Sequence, residues 1–395
     1  MELPFSFKRF VKEHVNDDLN RLLLCASRFP DIDVPFAVEQ IASRRQIREK
    51  LPSWYANDDL IFPAKVAAEQ CSSEQTGKYK QRLVDKEAIL CDLTGGLGID
   101  SFYFSEKVKK VIYIERYETY SEAARHNFKV LDAVNVEVLQ GDSNQTNLLP
   151  AVDVFYIDPA RRGEGNKRVF ALSDCEPDLP YLLPFLWERS SAVIAKLSPM
   201  ADIQQTLGLL PQTTEIHVLS VKNECKELLF VMQRNNPQGN EVGIRCVNFN
   251  STGKEESFNF TMAEERSCVM PFADRVKLYL YEPNASILKA GAFKSVAFRL
   301  QIEKLAASSH LYTSDHIVDS FPGRSFQVEE LLPFTGKLCK SLHKTIPQAN
   351  ITVRNFPLSV DELRKRTKIA DGGAIYLFAT TLADGEKVFL KCRKL

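Results

Sequence analysis

The sequence predicts an α/β fold built on a doubly wound, mostly parallel sheet, and three observations carry that prediction. Between residues 88 and about 235, short apolar runs alternate with helical stretches: AILCDL, VIYIE, VEVLQ, DVFYID, AVIAKL, EIHVLSV and ELLFVM. Several of these runs are apolar on both faces and rich in Val and Ile, as strands buried between two helical layers must be. The first run passes through a glycine loop into a helix, the unit that opens many ligand-binding sheets of this kind. Seven strands with helical crossovers complete the expected sheet.

The flanks read differently. Residues 1–60 show no strand alternation. Val15 to Phe29 carries apolar positions at helical intervals, and a basic helix from Ile41 to Leu51 stops before Pro52. Pro63 opens a further helix, and Cys71-Ser72-Ser73 ahead of Glu74 interrupts it or caps a new one. After the sheet, VGIRCVNFN and SFNFTM suit antiparallel strands. A strand, a turn at Glu282-Pro283-Asn284 and a helix follow. Residues 322–395 hold the strand ANITVRNF, a helix starting at Ser359, a turn at Asp371-Gly372-Gly373, and two strands joined at Asp384-Gly385. The expected divisions are thus 1–60, 61–275, 276–321 and 322–395.

Composition narrows the class. A chain of 395 residues with 44% hydrophobic and 26% charged residues is globular and holds more than one core. The net charge is zero, but residues 322–395 carry thirteen Lys and Arg against seven Asp and Glu. That surplus of six fits a basic appendage, and equally a solvated surface with uneven charge. The nine Cys include no CxxC pair and the six His no HxxH or HxxxH pair, so neither a zinc site nor a disulfide framework is expected. The charged N-terminus is unlike a signal peptide, and no apolar run is long enough for a membrane span. These features lead us to expect a cytoplasmic protein with neither metal nor membrane partner.

The strand AILCDL ends at Asp92 and enters Thr94-Gly95-Gly96-Leu97-Gly98. Glycines there allow positive φ and close approach of a ligand to the backbone. A dinucleotide site wants GxGxxG, and aligning Gly96 and Gly98 to its first two positions puts Ser101 at the third. S-adenosylmethionine makes another demand, because it carries no phosphate but has an amino-acid end and a sulfonium. Asp92 before the loop would repel a pyrophosphate, yet suits an ammonium group. Glu115 ends VIYIE seventeen residues after Gly98, where an acid accepts hydrogen bonds from ribose hydroxyls in either ligand class. Asp142-Ser143 follows the third strand; a strand-end Asp there can also serve as an ordinary loop residue.

The discriminating feature is Asp158-Pro159-Ala160-Arg161-Arg162 at the end of the fourth strand. Amino-methyltransferases carry (D/N)PP(Y/F) at this place, where the acid oxygen and a proline carbonyl hold an amine with its lone pair toward the methyl donor. Here Ala160 and Arg161 replace the second proline and the aromatic. Arg161 or Arg162 would stack on a base, pair with phosphate, or pair with surface carboxylates.

The run from 88 to 162 resembles class I S-adenosylmethionine-dependent methyltransferases, with Asp92-x-Thr94-x-Gly96-x-Gly98 standing for DxGxGxG. CDLTGGLGIDSFYFSE is similar to the RNA cap guanine-N2 type. EQCSSEQTGKYK, DLTGGLGID and DPARR together resemble a bacterial methyltransferase family with a THUMP-like C-terminal domain. The resemblance implies a Rossmann-like seven-stranded domain over about 61–275, a ferredoxin-like module near 276–321 and a THUMP-like domain near 322–395. It implies S-adenosylmethionine at Asp92, Thr94, Gly95, Gly96, Gly98, Glu115, Arg116, Asp142, Ser143 and Gln70. It places catalysis at Asp158, Pro159 and Arg161, and substrate contact at Arg161, Arg162 and Tyr79. Because THUMP domains elsewhere bind RNA, it implies an RNA base nitrogen as acceptor, guanine N2 being one option. A small-molecule or protein methyltransferase, or an RNA-binding protein that keeps the pocket without turnover, stays open beside it; an NAD-dependent oxidoreductase fits less well.

Overall fold

The apolar runs become strands because they meet helices on both faces. In the computed structural model, which describes residues 3–161, 172, 175–236 and 241–395 (only the backbone at Leu148 and Arg161), the strands are β1 (Ile89–Asp92), β2 (Lys110–Glu115), β3 (Val136–Gln140), β4 (Val154–Ile157), β5 (Ala192–Leu197), β6 (Thr213–Val221) and β7 (Glu224–Gln233). The chain divides into two compact units, Met1–Thr214 with Leu228–Asn240, and Glu215–Glu227 with Glu241–Leu395.

In the first unit the strand order is β3-β2-β1-β4-β5-β7, parallel through β5, with β7 antiparallel to β5. The start of β6 lies beside β7, where the Thr214 hydroxyl donates to the Val231 carbonyl at 3.2 Å. The sequence pattern suggests helical crossovers throughout; the last connection is instead a two-residue turn. Lys222 and Asn223 both sit at positive φ (51° and 63°), the conformation of a tight hairpin, which forces β7 to run back antiparallel.

Ten α-helices surround or precede this sheet in the described part of the unit: α1 (Phe5–Glu13), α2 (Leu19–Leu24), α3 (Val34–Ile47), α4 (Pro52–Tyr55), α5 (Lys65–Gln70), α6 (Glu74–Lys80), α7 (Ile99–Ser105), α8 (Glu118–Val130), α9 (Leu179–Arg189) and, following β5, α10 (Ile203–Leu209). One face of the sheet packs Leu90, Val111, Tyr156 and Ile194 against Phe104 of α7. On another face Tyr113 packs with Ala124 and Phe128 of α8. The N-terminal helices are joined to the glycine-loop helix through Trp54, Phe62, Leu97, Ile99 and Tyr103. Trp54 and Phe62 are fully buried. Burying each such side chain contributes about 1.5–3 kcal/mol, so the segment from Ile47 to Ala68 packs as one cluster with α7, while α1 to α3 pack among themselves around Phe7, Phe10, Leu22 and Ile41. The helical pattern from Val15 to Phe29 is shorter than its periodicity suggests: α2 ends at Leu24 and a 3-10 turn, Ala26–Arg28, follows. Ser73 caps α6 as its sequence suggests, its hydroxyl accepting from the Thr76 N–H at 3.2 Å.

The second unit holds β8 (Gly243–Phe249) antiparallel to β9 (Glu255–Thr261), then α11 (Met262–Ser267). A second sheet is built from β10 (Tyr279–Pro283), β11 (Tyr312–Ser314), β12 (Gly323–Pro333), β13 (Gln348–Arg354), β14 (Ala370–Thr381) and β15 (Lys387–Lys394), in the order β11-β10-β12-β15-β14-β13 with the short pair Glu303–Lys304 outside β11. Its helices are α12 (Ala285–Ala290), α13 (Phe293–Leu300), α14 (Gly336–Thr345) and α15 (Val360–Thr367). Ser359 and Glu362 form a capping box on α15. Asp371-Gly372-Gly373 reads in sequence as a turn but lies inside β14. Gly372 and Gly373 have φ of 93° and 82°, and the pairing with β13 jumps there from Asp371 to Tyr376. Positive-φ glycines thus make an irregularity in one strand rather than ending it.

Candidate active site

The carboxyl ends of β1, β2, β3 and β4 open on a cleft of about 350 Å³, in the range of small-molecule sites. Its floor is the glycine loop. Gly95 sits under the Tyr113 ring so closely that a Cβ would meet it at 2.2 Å. Gly98 combines φ of 82° with a would-be Cβ contact of 2.8 Å to Phe128. The Tyr113 hydroxyl donates to the Gly96 carbonyl at 2.6 Å, pinning the loop from β2. Thr94, where the class pattern has glycine, has a task of its own: its hydroxyl accepts the Asp158 N–H at 2.7 Å and so links the first strand end to the fourth.

Asp92 is 1% exposed and accepts from the Ser101 hydroxyl at 2.6 Å and the Thr94 N–H at 3.0 Å. Burial pushes its pKa up to about 7 despite those bonds. Glu115 is aimed by backbone donors, with Oε2 accepting from Gly96 N–H at 2.9 Å and Oε1 from Tyr117 N–H at 2.8 Å. Arg116 turns aside to Glu176 at 3.1 Å and lies over the Tyr117 ring. Asp142 accepts from the Asn144 N–H and side-chain amide, both at 2.9 Å. Asp142, Ser143 and Asn144 all line the cleft, as does Gln70 from the end of α5.

The side of the cleft at the end of β4 is held by side chains. Asp158 Oδ2 is paired with the Lys196 ammonium near the end of β5. Behind it lies a second pair, Lys80 with Asp100 at 2.7 Å, with the Lys80 side chain fully buried. Asp100 Oδ2 also accepts from the Tyr156 hydroxyl at 2.7 Å and the Ser72 hydroxyl at 2.9 Å. Burial acts to raise the Asp100 pKa, but the charges of Lys80 and Lys196 outweigh it and hold the carboxyl below its usual value. Ala160 lines the cleft. The Arg161 side chain and all of Arg162 lie outside the described residues. Tyr79 is 6% exposed, carries Arg82 over its ring at 5.3 Å, and is not among the residues that line the cleft.

Sequence reasoning missed Lys196, Lys80 with Asp100, and the bond from Thr94 to Asp158. Lys196 did leave a signal: it is the one charge in the apolar strand AVIAKL. The Lys80–Asp100 pair left none, because the partners come from different elements.

Compared with solved structures, the chain matches one from Porphyromonas gingivalis W83, described as a "putative methyltransferase", with TM-score 0.89 and 42% identity over 98% of this chain and 97% of that one. The chain belongs to this methyltransferase family. Residues 279–322 match a ferredoxin-like domain family and residues 323–394 a THUMP domain-like family. The uncharacterized protein MJ1452 of Methanocaldococcus jannaschii is 34% identical over 74 residues, which are 19% of this chain and 29% of that relative's length. An rRNA methylase structure from Streptococcus thermophilus shares 14% identity at TM-score 0.31, covering 40% of this chain and 94% of that one, a likeness too slight to inform the substrate.

The cofactor of this class is S-adenosylmethionine, and the cleft fits it. Six carboxylates line the cleft (Asp92, Asp100, Glu115, Asp142, Asp158 and Glu176) against two cationic side chains, Arg116 and Lys196, each already paired with one of them. Such a lining opposes a pyrophosphate and favours a ligand with a sulfonium and an ammonium. Asp92, Glu115, Asp142 and the loop from Gly95 to Gly98 are the residues that would hold it. Among the described residues no cluster suited to a metal ion occurs, and no helix is long and apolar enough to cross a membrane.

Proposed function

We propose that the chain methylates an exocyclic amine of an RNA base, with Asp158 and the Pro159 carbonyl orienting the amine. The observation that carries this reading is the placement of Asp158 at the end of β4, lining the same cleft as Glu115 and Asp142. S-adenosylmethionine, when bound, supplies an activated methyl group on sulfonium, so no enzyme nucleophile is needed. The protein's own work is orientation. The Thr94 hydroxyl fixes the Asp158 backbone and Lys196 fixes one oxygen of its carboxylate. Guanine N2 and the amines of adenine and cytosine are all acceptors of this type.

RNA as the carrier of that base is supported by the THUMP domain-like match over 323–394 and by the surplus of six positive charges in residues 322–395. We assign the helical residues 1–60 to the cofactor-binding part and residues 276–321 and 322–395 to two further modules. Arg161 and Arg162 are suited to phosphates of the substrate.

The test is transfer of labelled methyl groups to separated RNA, protein and metabolite pools from cells lacking the protein. Label is expected in RNA, and RNA binding should weaken steeply as salt rises. Label confined to protein or metabolites would contradict the reading.

A further inference from the structure

Asp158 does not meet its substrate alone. Its Oδ2 is held by the Lys196 ammonium, and both side chains line the cleft. Lys196 is 12% exposed and Asp158 38%, so the pair is a partly covered edge rather than a solvated surface contact. No described residue bonds Asp158 Oδ1. The edge offered to an acceptor is therefore one anionic oxygen beside one cationic N–H donor. A free carboxylate would offer two acceptors side by side.

We propose that Lys196 is a specificity-determining residue that selects a base whose reactive amine adjoins an unprotonated ring nitrogen on the Watson–Crick edge, as in adenine (N6 beside N1) or cytosine (N4 beside N3). The amine donates to Asp158 Oδ1, and the Lys196 ammonium donates to the ring nitrogen. On that edge guanine has the opposite neighbour: N2 lies beside N1–H, a donor that meets the ammonium head-on, its N3 acceptor lying on the sugar edge instead. Two donors on one edge suit a carboxylate with both oxygens free, which Asp158 is not. An unpaired donor at such a site is penalised more strongly than a missing contact, so the discrimination is large.

This inference rests on the proposed RNA-base activity, and its test separates the two. Labelled RNA from cells lacking the protein is digested and the methylated nucleoside identified by mass. N6-methyladenosine or N4-methylcytidine is the expected product. N2-methylguanosine would overturn this inference while leaving RNA methylation standing; no label in RNA would overturn the functional reading and this inference with it. An oligonucleotide containing the methylated sequence is then made with the ring nitrogen replaced by carbon, as 1-deazaadenine or 3-deazacytosine. The wild-type protein should lose roughly 10- to 100-fold in kcat/KM on the deaza substrate. Lys196→Met should lose a similar factor on the natural base but show almost no further loss on the deaza base. Equal wild-type rates on the two substrates would overturn the proposal without any variant.

Discussion

The two walls of the cleft are built by different means. On the wall proposed to hold the cofactor, backbone groups do most of the positioning: Gly96 and Tyr117 N–H groups aim Glu115, and the Tyr113 hydroxyl pins the loop through the Gly96 carbonyl. On the wall proposed to hold the acceptor, side chains from separate elements do it: Thr94 and Lys196 fix Asp158, with Lys80, Ser72 and Tyr156 fixing Asp100. The first wall suits a ligand common to a whole class. The second can be retuned by single substitutions, which suits a wall that chooses the substrate.

This difference is breakable at several points. The largest expected effect is on stability at the support of the acceptor wall. Lys80→Met leaves the Asp100 carboxyl without its buried partner and should cost about 3–5 kcal/mol in denaturant unfolding. Lys80→Met with Asp100→Asn should recover most of it; equal loss in the double variant would show that packing rather than charge is at stake.

Next is cofactor affinity. Glu115→Ala removes the anion that two backbone donors hold in place, and titration calorimetry should show S-adenosylmethionine binding weakened about 10- to 100-fold. An unchanged Kd would mean the cofactor wall has been wrongly located. A smaller effect is expected at Gly95→Ala, whose Cβ would press 2.2 Å from the Tyr113 ring: a loss of about 1–3 kcal/mol in stability, read by thermal unfolding.

The smallest effect is a pH dependence. Asp92 has its pKa raised by burial to about 7, above its unfolded value of 3.8. Its protonated form is therefore favoured in the fold, and its contribution to stability is greatest below pH 3.8 and is lost as pH rises toward 7. A cationic ligand favours the ionised form, so cofactor affinity should rise between about pH 5.5 and 7.5, by up to about tenfold for each unit by which the ligand lowers that pKa. Asp92→Asn should flatten that rise; an identical profile in the variant would exclude Asp92 as its origin.

The contrast between the walls also explains what the sequence revealed. Asp92, the glycines, Glu115 and Asp142 are legible because each sits at a strand end and its partners are neighbours in sequence or backbone groups. Their spacing alone gathers them. Lys196 meets Asp158 because of which strands lie side by side, and Lys80 meets Asp100 because α6 packs on α7; no local pattern encodes either. The antiparallel β7 was obscured for a related reason. Lys222-Asn223 is an uncommon residue pair for a tight hairpin, so apolar periodicity alone suggested another crossover. The glycines at 372 and 373 read as a turn because glycine pairs usually make one, while here the flanking residues continue to pair with β13.

The most direct test of the account is to measure, on one preparation of Asp158→Ala, both S-adenosylmethionine affinity and single-turnover methyl transfer to RNA from cells lacking the protein. The account predicts a cofactor Kd within about threefold of wild type and transfer reduced on the order of 100-fold or more. Transfer at the wild-type rate, or loss of cofactor binding in step with loss of transfer, would contradict it.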